Sequence, residues 1–150
     1  LHLLSRRQRQ MCIRDRYKNM NAYKLFVLDV GLLGAMSELP AESILEGNDI
    51  FVEFKGALTE QYVLQQLISD TPYTPYYYGN EKATFEQDFL VQKAKSIVPI
   101  EVKAEQNIRS HSLKTYCEKF QPEEAVRFST LKYKEQEWMV NIPLYAVCNL

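Results

Sequence analysis

The sequence predicts a mixed α/β fold, a β-sheet with helices packed on it. Three observations carry that expectation. Short apolar runs bounded by turn residues recur along the chain, the clearest being Thr84–Ala104, which reads as two strands joined by a polar turn. Phe54–Ile68 carries apolar residues at helical spacing, and a second helical stripe follows Ser110. From Phe54 onward the order is helix, strand, strand, strand, helix, strand, strand, which fits one domain of mixed α/β type.

Residues 1–16 stand apart. Arg6–Arg16 reads RRQRQMCIRDR, dense in charge and without periodicity. It resembles the reading-frame translation of a transposase adapter used in sequencing-library preparation, so residues 1–16 are set aside as a non-native segment and 17–150 taken as the domain. The other reading is a natural basic arm that binds nucleic acid. The whole chain of 150 residues holds 18 basic and 19 acidic residues. Residues 1–16 contain five arginines and one aspartate, so 17–150 carry 13 basic and 18 acidic residues, a net of −5. That balance argues against a domain that coats phosphate unaided. DNA as a partner requires a local patch or a neighbouring domain. No apolar run reaches the ~18 residues of a membrane span, so no membrane is expected. With Cys12 set aside, Cys117 and Cys148 lack CxxC spacing and read as buried thiols of a reducing cytoplasm.

Tyr23–Val30, YKLFVLDV, reads as a strand. Asp29 is placed to cap the helical turn that follows it, or to serve a site. Pro40–Leu45 suggests a short helix opening on Pro40, and Gly47–Asp49 a turn. In Phe54–Ile68, Leu58 and Tyr62 follow one ridge, while Val63, Leu64, Leu67 and Ile68 fill the neighbouring ones. Glu60 lies beside this stripe, either as a first-turn dipole partner or as a member of a site. Tyr76–Tyr78 begins a strand whose rings serve packing or base stacking. Ser110 or Ser112 caps a helix bearing Leu113, Tyr116 and Phe120, which Pro122 stops. Ala125–Ser129 and Leu144–Cys148 read as strands, Lys132–Glu137 as a charged turn, and Trp138 as a core or interdomain residue.

Chemistry concentrates in Thr84–Ala104, TFEQDFLVQKAKSIVPIEVKA. Alternation puts Glu101 and Lys103 on one face of the second strand, with Ile100 and Val102 on the other. Asp88 sits on the first strand. Two carboxylates and an amine can then meet at the edge of one hairpin. Hard divalent cations prefer oxygen ligands, and that set suits metal-assisted phosphodiester hydrolysis. The competing reading is a solvent-facing Glu–Lys pair worth little. Two details favour a site: the apolar flanks Ile97, Val98, Ile100 and Val102, and a third carboxylate, Glu60, on the preceding helix.

The order Glu60 on a helix, Asp88 on a strand and Glu101-Val102-Lys103 on the next resembles the PD-(D/E)xK restriction-endonuclease-like superfamily. Residues 23–148 also resemble the domain of unknown function 4143, a C-terminal domain of bacterial and archaeal AAA-type ATPase-like proteins. The matching segments are KLFVLDVGLLGAM, FKGALTEQYVLQQL, EQDFLVQ, VPIEVKA and NIPLYAV. The resemblance implies a restriction-endonuclease-like mixed β-sheet flanked by helices. It implies that Asp88, Glu101 and the Val102 carbonyl hold Mg²⁺ or Mn²⁺, that Lys103 orients the attacking water, and that Glu60 assists. It further implies an ATPase domain and a winged-helix segment upstream in a longer chain. ATP belongs to that upstream part alone, since no GxxxxGK[ST] loop occurs here. Gln87 departs from the family, which carries an apolar residue there, and is expected to loosen the strand packing. Two functions compete: a cytoplasmic regulatory or binding module with a retained metal-site motif, and a Mg²⁺-dependent DNA endonuclease. DNA binding without cleavage is a third.

Overall fold

A computed structural model of the chain describes residues 5–10, 19–40, 42, 49–79, 86–104 and 109–150. Strands β1 (Ser5–Gln10) and β2 (Asn19–Val27) form an antiparallel ribbon with Ser5 opposite Val27. Helix α1 (Val30–Met36) and the long helix α2 (Asp49–Asp70) follow. Next come β3 (Tyr76–Gly79), β4 (Glu86–Lys93) and β5 (Ser96–Lys103), then α3 (His111–Phe120). The chain continues through β6 (Val126–Ser129), β7 (Lys134–Glu135) and β8 (Val140–Pro143) to a 3₁₀ helix, Leu144–Asn149.

The strand order is β2-β1-β3-β4-β5-β6-β8-β7. The six strands from β3 to β7 make a mixed sheet: β3, β4 and β5 run antiparallel, β5, β6 and β8 parallel, and β7 turns back along β8. The ribbon meets it where Gln10 pairs with Tyr77. The expected mixed α/β sheet flanked by helices is therefore the architecture found. Val63, Leu64 and Leu67 of α2 pack with Phe89, Val91, Val98, Ile100, Val126 and Phe128 of the sheet, all essentially inaccessible. Each such side chain contributes about 1.5–3 kcal/mol on burial. Against α3, Leu113 joins Ala125 and Met139, and Tyr78 meets Tyr116 and Phe120 edge-on at 5.6 and 5.5 Å. Tyr77 is buried and Tyr78 half-buried, so packing accounts for these two members of the tyrosine run.

Several boundaries differ from expectation for local reasons. The first apolar run stops being a strand at Val27, because the Asp29 carboxylate accepts the Leu32 N–H at 2.8 Å and α1 starts at Val30. Helix α2 begins at Asp49, which makes Glu60 its twelfth residue and removes the first-turn dipole role. Leu144–Cys148 is not a strand. The ladder partner of β6 is Val140–Pro143, after which the chain coils so that Val147 packs into the core. The turn at Lys132–Glu137 contains β7. Trp138 is 38% exposed and so no core residue, and Cys148 is exposed rather than buried, on the outside of the 3₁₀ helix. The helix expected at Pro40–Leu45 and the turn at Gly47 and Asn48 lie largely outside the described residues.

Candidate functional site

Lys24 reaches the site because β2 alternates. Tyr23 and Leu25 face outward, whereas Lys24 and Phe26 turn inward, the Phe26 ring 6.1 Å from that of Phe89. The Lys24 ammonium, its side chain 23% exposed, lies 2.8 Å from Glu60, 2.6 Å from Glu86 and 4.0 Å from Asp88. It also stands 5.9 Å above the centre of the Tyr77 ring. Two amides of α2 fix this end of β2. Gln61 accepts the Val27 N–H and donates to the Val27 carbonyl, both at 3.1 Å, and Gln65 accepts the Val30 N–H at 3.0 Å.

Asp88 sits at an irregularity in the sheet. Tyr76 pairs with Leu90 and Tyr78 with Gln87, so two steps of β3 span three of β4. Such a slip re-aims side chains. The β4–β5 pairing begins only at Phe89 and Ile100, and beyond it the Asp88 carboxylate accepts the Val102 N–H at 2.8 Å. Burial first, then the charge of Glu60, push Asp88 up to about 7, against the Val102 N–H and Lys24, which lower it; Glu101 adds a further upward push. For Lys24, burial acts downward, but Glu60, Glu86 and Asp88 together outweigh it and hold the ammonium above the ordinary lysine range.

Glu101 is 3% exposed and occupied on both oxygens. Its Oε1 pairs with Lys103 at 2.7 Å, and its Oε2 accepts the Leu113 N–H at 3.1 Å. Ser110 stands at the cap position of α3 without a side-chain cap bond, and its hydroxyl instead accepts from Arg127 at 3.4 Å. Glu101 therefore supplies the cap expected of a serine. Arg127 lies opposite Glu101 in the β5–β6 register and donates to Asn141 at 2.9 Å. Burial lowers its pKa, while the Glu101 charge acts upward. Burial, then Glu101 and Glu118, push Cys117 up to about 11, so it stays a thiol. Gln87 is fully buried and donates to the Ile100 carbonyl at 2.6 Å, while its Oε1 has no partner among the described residues.

The five residues singled out from sequence thus fall into two adjoining groups. Glu60 and Asp88 share the ammonium of Lys24, Glu101 and Lys103 pair with each other, and the Val102 backbone binds Asp88. Sequence reasoning missed Lys24, Glu86 and Arg127. A lysine in phase with Phe26 on an apolar strand, an acid two residues before Asp88, and an arginine inside AVRFS were the available signals. Oxygen donors of this kind suit a hard cation. As arranged they do not form a metal cage: an ammonium stands among the carboxylates, and among the described residues no group of three or more His, Cys, Asp or Glu is placed to hold a metal ion.

Fold and site together define a mixed α/β domain in which carboxylates from a helix and a strand share the ammonium of one lysine. Residues 55–146 match the family described as a domain of unknown function (DUF4143), and the chain belongs to that family. No curated protein and no solved structure matches it. Glu60, Glu86, Asp88, Glu101, Lys103 and Arg127 fall within the matched residues, whereas Lys24 precedes them. Among the described residues no helix is long and apolar enough to cross a membrane.

Proposed function

We propose that residues 17–150 form a cytoplasmic binding or regulatory module on a restriction-endonuclease-like sheet, working beside ATPase and winged-helix domains of the same full-length chain. The observation supporting this reading is the employment of Glu101. The central acid of the Glu-x-Lys motif is consumed by Leu113 of α3 and by Lys103, so it holds the fold together. The net charge of −5 over residues 17–150 agrees with a module that does not grip DNA unaided. Incubating the protein with supercoiled plasmid and single-stranded oligonucleotides in Mg²⁺ or Mn²⁺ tests it. No cleavage is expected. Metal-dependent nicking that disappears in both Asp88→Ala and Lys103→Ala overturns the reading.

That outcome selects the second reading, a Mg²⁺-dependent DNA endonuclease. Its support is the gathering of acids: Asp88 lies within the electrostatic reach of both Glu60 and Glu101 although the three come from separate elements.

A further inference from the structure

We infer that the cavity between α1, α2 and the carboxyl ends of β6 and β8 is a binding site for a small apolar molecule carrying one carboxylate. It measures about 860 Å³, a size typical of small-molecule sites. Val30, Leu39, Leu58, Tyr62 and Leu144 supply apolar wall. Its place in the sheet fits the same use. Ser129 ends β6 and Pro143 ends β8, two parallel neighbours, and both residues line the cavity. Open α/β sheets take their ligands outside the carboxyl ends of such strands, where the departing connections leave a crevice. Lys24, Glu60, Glu86 and Asp88 are not among the described lining residues, so this is a separate place from the lysine–carboxylate cluster.

Gly34 of α1 shows that the space is kept open rather than packed. The residue is buried, yet a Cβ built on it would meet nothing within 4 Å among the described residues. Glycine inside a helix costs backbone entropy that alanine would not, and no described neighbour demands its smallness. Lys55 defines the polar end of the ligand. It is half-buried on the cavity wall, and it forms no ion pair among the described residues. The described lining residues include no acid and no second cation. The Thr59 and Ser129 hydroxyls donate elsewhere, to the Lys55 carbonyl and to Asn141. One ammonium set in an apolar wall, with its methylene stem extending that wall, complements a single negative charge on an apolar body.

Calorimetric titration of the full chain with decanoate, 1-decanol and decyltrimethylammonium tests this. One decanoate per chain is expected, bound with a negative heat-capacity change, with the alcohol weaker and the ammonium weakest. Lys55→Met keeps an apolar side chain and removes the charge. It should weaken decanoate roughly tenfold and leave 1-decanol unchanged. Gly34→Leu fills the open space and favours the helix, so it should abolish binding of both in a chain that circular dichroism shows to be folded. No saturable decanoate binding by wild type, an equal loss for acid and alcohol in Lys55→Met, or undiminished binding to folded Gly34→Leu overturns the inference. So does a dimer in sedimentation equilibrium that Gly34→Leu dissolves and decanoate does not, which would assign the cavity to a second copy of the chain. Plasmid cleavage reports only on the module reading, so either idea can fail alone.

Discussion

The carboxylate of Glu101 closes helix α3 from the neighbouring strand, its Oε2 accepting the Leu113 N–H at 3.1 Å. Leu113 is the third residue of α3, where an N–H has no partner within the helix. The same carboxylate pairs with Lys103 and lends its charge to Arg127, so removing it breaks an ion pair, weakens the field around Arg127 and leaves the Leu113 N–H without its acceptor. Glu101→Ala should therefore cost about 3 kcal/mol. Glu101→Gln, which keeps an oxygen for Leu113, should cost about 1 kcal/mol. Urea denaturation followed by circular dichroism measures both, and equal losses would show that the helix contact is irrelevant.

Asp88 sets a pH dependence of definite sign. Its folded pKa of about 7 lies above the unfolded 3.8, so between those values the folded state binds a proton that the unfolded chain does not. Its contribution to stability is fully present below pH 3.8 and lost as pH rises through about 7. Unfolding free energy should fall across that window in wild type. Asp88→Asn, neutral throughout, should flatten the fall. A wild-type profile that rises from pH 4 to 7 with no change in the variant contradicts the assignment.

Lys24→Met should be costlier in base than in acid. At pH 8 the loss is expected to be about 2 kcal/mol, less than for a fully buried pair because the side chain is 23% exposed. Near pH 5 Asp88, whose pKa is pushed up to about 7, carries a proton and needs no counter-charge, and the loss should shrink. Thermal melts at the two pH values decide the matter through the difference between wild type and variant.

Gln87→Met should change stability by less than about 1 kcal/mol. The substitution gives up the 2.6 Å bond to the Ile100 carbonyl but also removes a buried Oε1 that has no partner among the described residues, and the two effects oppose each other. A loss above about 2 kcal/mol on chemical denaturation would show that the amide is an indispensable tie between β4 and β5.

Legibility followed the range of the interactions. The hairpin of β4 and β5, the core stripe of Val63, Leu64 and Leu67, and the Asp29 cap are written in periods and spacings a few residues long, and all were readable. The pairing of Glu101 with Lys103 followed from strand alternation alone. Lys24 was not readable as a partner of Glu60, because nothing local links positions 36 residues apart. The re-aiming of Asp88 depends on a slip between β3 and β4 that leaves no mark in composition. The reading of Leu144–Cys148 as a strand failed because an apolar run near the chain end serves a 3₁₀ turn equally well, while Val140–Pro143 took the ladder. Gln87, expected to loosen the packing, lies fully buried against the Ile100 carbonyl.

Gln61 grips Val27 from the same helix that carries Glu60 one residue earlier. One rigid rod therefore sets both the anion and, through its hold on β2, the reach of the amine that balances it. A rotation or slide of that rod moves attraction and tether in concert, so the balance is insensitive to small shifts. Only a displacement large enough to break the amide grip frees the two charges from each other.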